Sequence, residues 1–122
     1  MRERMQAEQF ARELARIASE LKSEDVVLLD LRGLTSITDF LVIATGTSDR
    51  QMHAVIDHLR EYAQRVGEKT YGLDGEDSDR WILVDFVDVV VHLFSREARD
   101  FYDMELLWGD APRIAWARSE TA

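Results

Sequence analysis

The run from Trp81 to Phe94, WILVDFVDVVVHLF, is the longest apolar stretch of the chain and is rich in β-branched and aromatic residues. Fully extended, it would span about 46 Å, which is too long for one strand of a small domain. Its two aspartates predict a break into two strands, Trp81–Asp85 and Asp88–Phe94, joined by a tight turn around Phe86–Val87. Because both segments are almost wholly apolar, we expect them to be buried on both faces of a sheet, which requires helices on both sides.

The chain before this run predicts a helix followed by two strands. Over residues 4–22, apolar side chains recur three and four positions apart, which is the stripe of an amphipathic helix. Short apolar segments at Val26–Leu31 and Asp39–Thr45 predict strands. Ser48, with Gln51 three residues later, forms the capping box of a second helix.

The remaining signals are short and local. Gly67 is placed to end the second helix. Glu68–Tyr71 predicts a short edge strand, and Asp74-Gly75 predicts a turn in the loop before the strand pair. Ser95 is the expected N-cap of a last helix, Arg96–Trp108.

These elements occur in the order α-β-β-α-(β)-β-β-α. A chain of 122 residues is long enough for one hydrophobic core. We therefore predict an α/β fold in which a single domain, residues 1–110, has one mixed β-sheet with helices on both faces. Residues 111–122, which contain the only proline, are expected to form a C-terminal tail that is partly flexible.

The net charge of −9 is concentrated in one part of the chain. Between Asp74 and Asp110 there are eleven acidic residues and three basic ones, so this segment alone carries −8. Nucleic-acid binding requires bases that neutralise phosphates, so little direct contact with nucleic acid is expected here. An acidic field favours a basic protein partner instead, although acids that only maintain solubility are an equal alternative.

Composition also restricts the chemistry and the location. The absence of cysteine excludes disulfides, thiolate metal sites and cysteine nucleophiles. No run approaches the ~20 apolar residues that a membrane span needs. The segment MRERMQAEQF lacks the apolar core of a secretory signal, so we expect a cytoplasmic protein without a membrane interaction.

One pattern admits an enzymatic alternative. Gly46-Thr47-Ser48 lies between a strand and a helix, where an anion could contact free amides. A nucleotidyltransferase-like enzyme would combine Ser48 with metal-binding carboxylates at Asp85 and Asp88. However, the turn lacks the lysine of a phosphate-binding loop, and no third acid lies at strand spacing to complete a metal site. We expect no cofactor, no metal and no catalytic residues.

The histidines do not strengthen the enzymatic alternative. His53 and His58 are five positions apart, about 140° around a helix, and so cannot share a metal ion. His92 stands alone in a predicted strand, where a hydrogen-bonded structural role is more common than a catalytic one.

The last helix is more informative, because its aromatic and leucine residues occupy too much of its circumference for one buried stripe. Some of them should be exposed beside acids, which is typical of a protein-binding patch.

The chain also resembles a known family. Its matching residues extend from about Phe10 to Ala111 and comprise SITDF (36–40), ATGTS (44–48) with Gln51, Asp74-Gly75, WILVDF (81–86), DVVVHLF (88–94), Glu97, Phe101-Tyr102, Glu105 and LLW (106–108). On these residues it is identified as a member of the RsfS/Iojap family of ribosomal silencing factors. Many relatives have glycine at the position of Val87, and valine resists a positive φ, so this turn is where the chain departs from the family.

The resemblance implies a non-enzymatic function and a fold like that of nucleotidyltransferases without their active site. It implies that the protein binds the large ribosomal subunit through ribosomal protein L-fourteen, blocks association of the small and large subunits, and represses translation under nutrient limitation. A homodimer is implied for the free protein. A generic dimerisation module without a ribosomal role is a further alternative. We expect the contact residues to be Trp81, Leu83, Asp85, Asp88, His92, Tyr102, Glu105, Leu106 and Trp108.

Overall fold

Five strands form one mixed sheet in the computed structural model of the protein, which describes residues 6–103 and 108–117. The strands are β1 (Glu24–Asp30), β2 (Phe40–Thr45), β3 (Gly72–Asp74), β4 (Trp81–Asp85) and β5 (Val89–Phe94). Their spatial order is β1-β2-β5-β4-β3, with β2 and β5 parallel and the other pairs antiparallel. The helices are α1 (Ala7–Glu20), α2 (Asp49–Arg65) and α3 (Arg96–Phe101).

The sheet separates two hydrophobic clusters. Because successive strand residues point to opposite faces, Leu28, Val42 and Val91 lie on the side that packs against α1 and α2. Their neighbours Leu29 and Leu41 lie on the other side, with Ala98 of α3 and with Ala111 and Trp108 from the end of the chain. Helices therefore cover both faces, which confirms the predicted fold class.

The local signals at the second helix are confirmed. The Ser48 hydroxyl accepts a hydrogen bond from the Gln51 amide at 3.0 Å, as an N-cap should. The Gln51 side chain accepts from the Thr47 amide and donates to the Leu21 carbonyl, which ties the start of α2 to the end of α1. Gly67 adopts a φ of 80° directly after the helix ends.

The central strand pair is present, but its burial differs from the prediction. All six residues of β5 are buried, whereas on β4 buried Ile82 and Val84 alternate with half-buried Trp81, Leu83 and Asp85. The expectation that both strands are buried on both faces is therefore wrong for β4. β4 lies between β5 and the three-residue edge strand β3, and its half-buried residues are on the face opposite α1 and α2.

Two predicted elements are misplaced. The edge strand predicted at Glu68–Tyr71 is instead Gly72–Asp74, because pairing begins where Gly72 meets Asp85 at the end of β4. The last helix ends at Phe101 and not at residue 108, because Tyr102 leaves helical geometry with ψ 89° and packs against the rings of Trp81 and Phe94. Residues 104–107 lie outside the described part.

The end of the chain packs against the sheet. The Asp30 amide donates to the Pro112 carbonyl, and the Ile114 amide donates to the Leu28 carbonyl, each at 2.9 Å. The Trp116 indole donates to the Val26 carbonyl. Residues 112–116 thus occupy the outer edge of β1, while flexibility of the tail stays a prediction because residues 118–122 lie outside the described part. No described helix is long and apolar enough to cross a bilayer.

Candidate protein-interaction surface

Most of the predicted contact residues that the structure describes lie together on one surface. Trp81, Leu83 and Asp85 alternate along β4 and so face the same side of the sheet, and His92 pairs directly with Leu83. This side is opposite α1 and α2. We call it the β4–β5 face and define it by the residues Trp81, Leu83, Asp85, His92, Tyr102 and Trp108. Glu105 and Leu106 lie outside the described residues.

Aromatic rings form the end of this face nearest α3. The ring centroid of Trp81 lies 4.9 Å from that of Tyr102 and 5.2 Å from that of Phe94. Phe94 is fully buried, whereas Tyr102 is 41% exposed and its neighbour Phe101 is 76% exposed. The cluster is thus anchored in the core at Phe94 and reaches solvent at Tyr102. This confirms that aromatic residues near the last helix are exposed beside acids, because Asp100 and Asp103 are exposed there as well.

A groove of about 270 Å³ continues the face toward the other end of the sheet. Residues of β2, β4 and β5 line it together with Trp108, and the loop after β1 contributes Ile37, which is 78% exposed. The groove is lined by Leu31, Thr35, Ile37, Thr38, Leu41, Leu83, Asp85, Val90, His92 and Trp108. Ile37 is not among the contact residues predicted from the sequence. An isoleucine between Ser36 and Thr38 in a polar loop was the available signal.

His92 has a structural hydrogen bond on this face. Its Nδ1 accepts from the Trp81 indole Nε1–H at 2.9 Å, and its ring stacks on Phe94 at an interplanar angle of 7°. Burial lowers the pKa of His92 to about 4, so the imidazole is neutral at pH 7. The interpretation of His92 as a hydrogen-bonded strand residue is confirmed.

The two aspartates have different positions. The Asp85 carboxylate accepts from the Val87 amide at 2.7 Å and so stabilises the turn between β4 and β5. Val87 adopts a φ of 74° in this turn, although valine resists that region. Asp88 follows in the turn, where its carbonyl accepts from the Asp39 and Phe40 amides. The structure therefore places Asp85 in the groove, whereas Asp88 lies at the end of the sheet and does not line the groove.

The residues of the enzymatic alternative do not converge. Thr45 at the end of β2 aligns across β5 with Trp81, the first residue of β4, and Asp85 is four residues further along. That offset is about 13 Å along the strands at ~3.3 Å per residue. Ser48 follows Thr45 beyond the opposite end of the sheet, where its hydroxyl caps α2. No group of three histidine or acidic side chains suited to a metal ion occurs among residues 6–103 and 108–117.

The other two histidines are occupied by main-chain contacts. The His53 ring nitrogens contact the carbonyl oxygens of Asp49 and Glu76, and these contacts, the one to Glu76 first, raise the pKa of His53. His58 Nδ1 contacts the Ala54 carbonyl one helical turn earlier. Contacts to nearby main-chain carbonyls thus hold both imidazole rings, and neither histidine lies on the β4–β5 face.

Comparison with known proteins identifies the family. The family model described as ribosomal silencing factor during starvation matches residues 4–122. Ribosomal silencing factor RsfS of Halalkalibacterium halodurans is 42% identical over 93 residues, which cover 76% of this chain and 80% of that protein. The protein of the same name from Haemophilus influenzae is 43% identical over 88 residues, which cover 72% of this chain and 86% of that protein.

The fold agrees with this assignment. A crystal structure of a protein from Chromobacterium violaceum matches with a TM-score of 0.82 and 32% identity, covering 94% of this chain and 95% of that one. The aligned chains therefore share the mixed sheet together with its helices. Sequence and fold agree that the chain belongs to the RsfS family of ribosomal silencing factors.

Proposed function

We propose that this protein silences translation by binding ribosomal protein L-fourteen of the large subunit through its β4–β5 face. The bound domain would then obstruct docking of the small subunit and lower translation under nutrient limitation. Family membership supports the ribosomal role. The observation that carries the choice of surface is the aromatic face beside α3, where Phe101 and Tyr102 stay exposed.

Charge and shape both support a basic protein partner. The segment from Asp74 to Asp110 carries eleven acids against three bases, and one of its arginines, Arg96, already pairs with Asp25 and Glu24. Ribosomal proteins are typically basic, so an acidic rim would steer such a partner toward the apolar groove. Aromatic anchors in a desolvated centre with a charged rim are the usual distribution of binding energy at interfaces.

The proposal is tested with isolated ribosomal protein L-fourteen and alanine variants. Tyr102→Ala and Trp108→Ala should each weaken binding by about tenfold or more, as aromatic anchors do. Tyr71→Ala is the matched control, because Tyr71 is also an exposed tyrosine, at 62%, but is not part of the β4–β5 face. It lies two residues before Leu73 and therefore on the side of the sheet that α1 and α2 cover. Calorimetry measures the affinity, and thermal denaturation shows whether each variant is folded. Unchanged binding by folded Tyr102→Ala and Trp108→Ala would place the interface elsewhere.

Two further properties belong to the same proposal. We propose that the free protein forms a homodimer and that a single copy acts on each large subunit, which sedimentation equilibrium and quantitative co-sedimentation would measure. We also propose that it acts in the cytoplasm, where ribosomes are assembled and used. A monomer at all concentrations in sedimentation equilibrium would remove the dimer from the proposal without affecting binding to the large subunit.

A further inference from the structure

The hydrogen bond between Trp81 and His92 determines where the histidine carries its proton. An indole nitrogen is only a donor, so the Trp81 Nε1–H bond to Nδ1 at 2.9 Å requires Nδ1 to be unprotonated. A neutral imidazole has one N–H. That proton therefore lies on Nε2, on the far side of the ring from Trp81.

Nε2 faces the groove of the β4–β5 face. His92 lines the groove, and no described residue hydrogen-bonds to its Nε2. Within the described part of the chain, every fully buried side-chain nitrogen or oxygen has a hydrogen-bond partner. Nε2 lacks one and so must be reached by solvent through the groove.

The surroundings of this N–H restrict what can accept from it. Leu83, Val90 and Trp108 supply apolar surface around it. The Thr38 hydroxyl also lines the groove, and its proton is donated to the Val87 carbonyl at 2.9 Å. Asp85 places a carboxylate in the same groove, so a second carboxylate from a partner would be repelled. An uncharged oxygen fits this position better.

We propose that His92 Nε2–H donates a hydrogen bond to a main-chain carbonyl of the ribosomal-protein segment that enters this groove. This inference rests on the proposed function, because it names the atom through which the β4–β5 face recognises its partner. The apolar groove excludes water when it is filled. A segment that brings no acceptor leaves the donor unsatisfied, and a segment that brings one gains orientation as well as affinity. His92 is thus a specificity-determining residue of the interface, and Trp81 is a positioning residue that fixes its tautomer.

Two amide variants separate the two ring nitrogens. In His92→Asn the amide oxygen can take the place of Nδ1, which keeps the acceptor for Trp81 but removes the donor in the groove. In His92→Gln the amide nitrogen can reach the place of Nε2, which keeps the donor but removes the acceptor for Trp81. The affinity for isolated ribosomal protein L-fourteen and the melting temperature are measured for both variants and for the wild type.

The inference predicts that the two variants rank in opposite order in the two measurements. His92→Asn should bind about tenfold more weakly than the wild type, and His92→Gln should stay within about threefold of it. In thermal denaturation, His92→Asn should be the more stable variant. A purely structural role would give the same order in both measurements and would overturn the inference, as would wild-type affinity in His92→Asn.

A measurement on the free protein checks the tautomer directly. Nitrogen NMR of the histidine rings should show His92 protonated at Nε2 and unprotonated at Nδ1 at pH 7, and a proton on Nδ1 would overturn the inference. If the wild type binds but the affinity order fails, only the role of His92 is wrong. If the wild type does not bind ribosomal protein L-fourteen, the proposed function is refuted and this inference with it.

Discussion

Val87 occupies a backbone conformation that its side chain resists, so glycine at this position should stabilise the fold. Its φ is 74°, and the conformation is held by the Asp85 carboxylate on its amide and the Thr38 hydroxyl on its carbonyl. Left-handed geometry costs an ordinary residue about 1–2 kcal/mol. Glycine avoids that cost but loses about 0.5–1 kcal/mol of chain entropy on folding. The side chain is 46% exposed, so little burial is lost.

The net expectation for Val87→Gly is therefore a gain of about 0.5–1 kcal/mol in the free energy of unfolding. For a domain of this size, that gain raises the melting temperature by about 2–4 °C. Urea denaturation with the wild type in parallel measures the free energy of unfolding. Val26→Gly is the matched control, because Val26 is partly buried in β1 and does not have a positive φ. It should lose stability. A less stable Val87→Gly would refute the reasoning that the turn is strained.

Three other substitutions or conditions test the fold around the β4–β5 face. Burial lowers the pKa of His92 from its ordinary 6.5 to about 4, so the unfolded chain binds the extra proton first as the pH falls. About 3 kcal/mol of the free energy of unfolding should therefore be lost between pH 6.5 and 4. Urea denaturation at each pH should show a smaller loss in His92→Asn than in the wild type. Gly75→Ala should lose about 2 kcal/mol or more in thermal denaturation, because φ is 80° and an added Cβ would lie 2.1 Å from the Trp81 carbonyl oxygen. Ser48→Ala should lose about 1 kcal/mol in urea denaturation through loss of the N-cap of α2, and Ser48→Thr should restore part of it.

Elements with local signals could be predicted from the sequence. The capping serines Ser48 and Ser95 and the positive φ of Gly67 depend on neighbouring residues alone, and all three are confirmed. The break between β4 and β5 also had a local cause, because two aspartates interrupt a run that is too long for one strand. Such features depend on short-range hydrogen bonds and backbone preferences.

Features that depend on distant pairing could not be predicted in the same way. The position of β3 follows from the register between Gly72 and Asp85, which are thirteen positions apart in the sequence. The end of α3 coincides with the packing of the Tyr102 ring against Trp81, which lies on another element. Neither pairing has a local sequence signal. The half-buried residues of β4 could not be predicted for the same reason, because an apolar strand sequence does not specify which other elements will pack against each of its faces.

The candidate surface was therefore predictable in composition but not in arrangement. The apolar and acidic character of residues 81–108 indicated a protein-binding patch. Only the register of β4 on β5 shows that Leu83 and His92 are neighbours while Asp88 lies in the turn. The contribution of Ile37 needed the three-dimensional position of the loop after β1.

The most direct test of the proposed function is a subunit-joining assay. Large subunits are incubated with the wild-type protein, Tyr102→Ala or Tyr71→Ala, small subunits are added, and the joined ribosomes are separated by sedimentation. The wild type and Tyr71→Ala should stay on the large subunits and prevent joining, whereas Tyr102→Ala should allow it. Joining that proceeds normally with wild-type protein bound, or equal inhibition by Tyr102→Ala, would contradict the account.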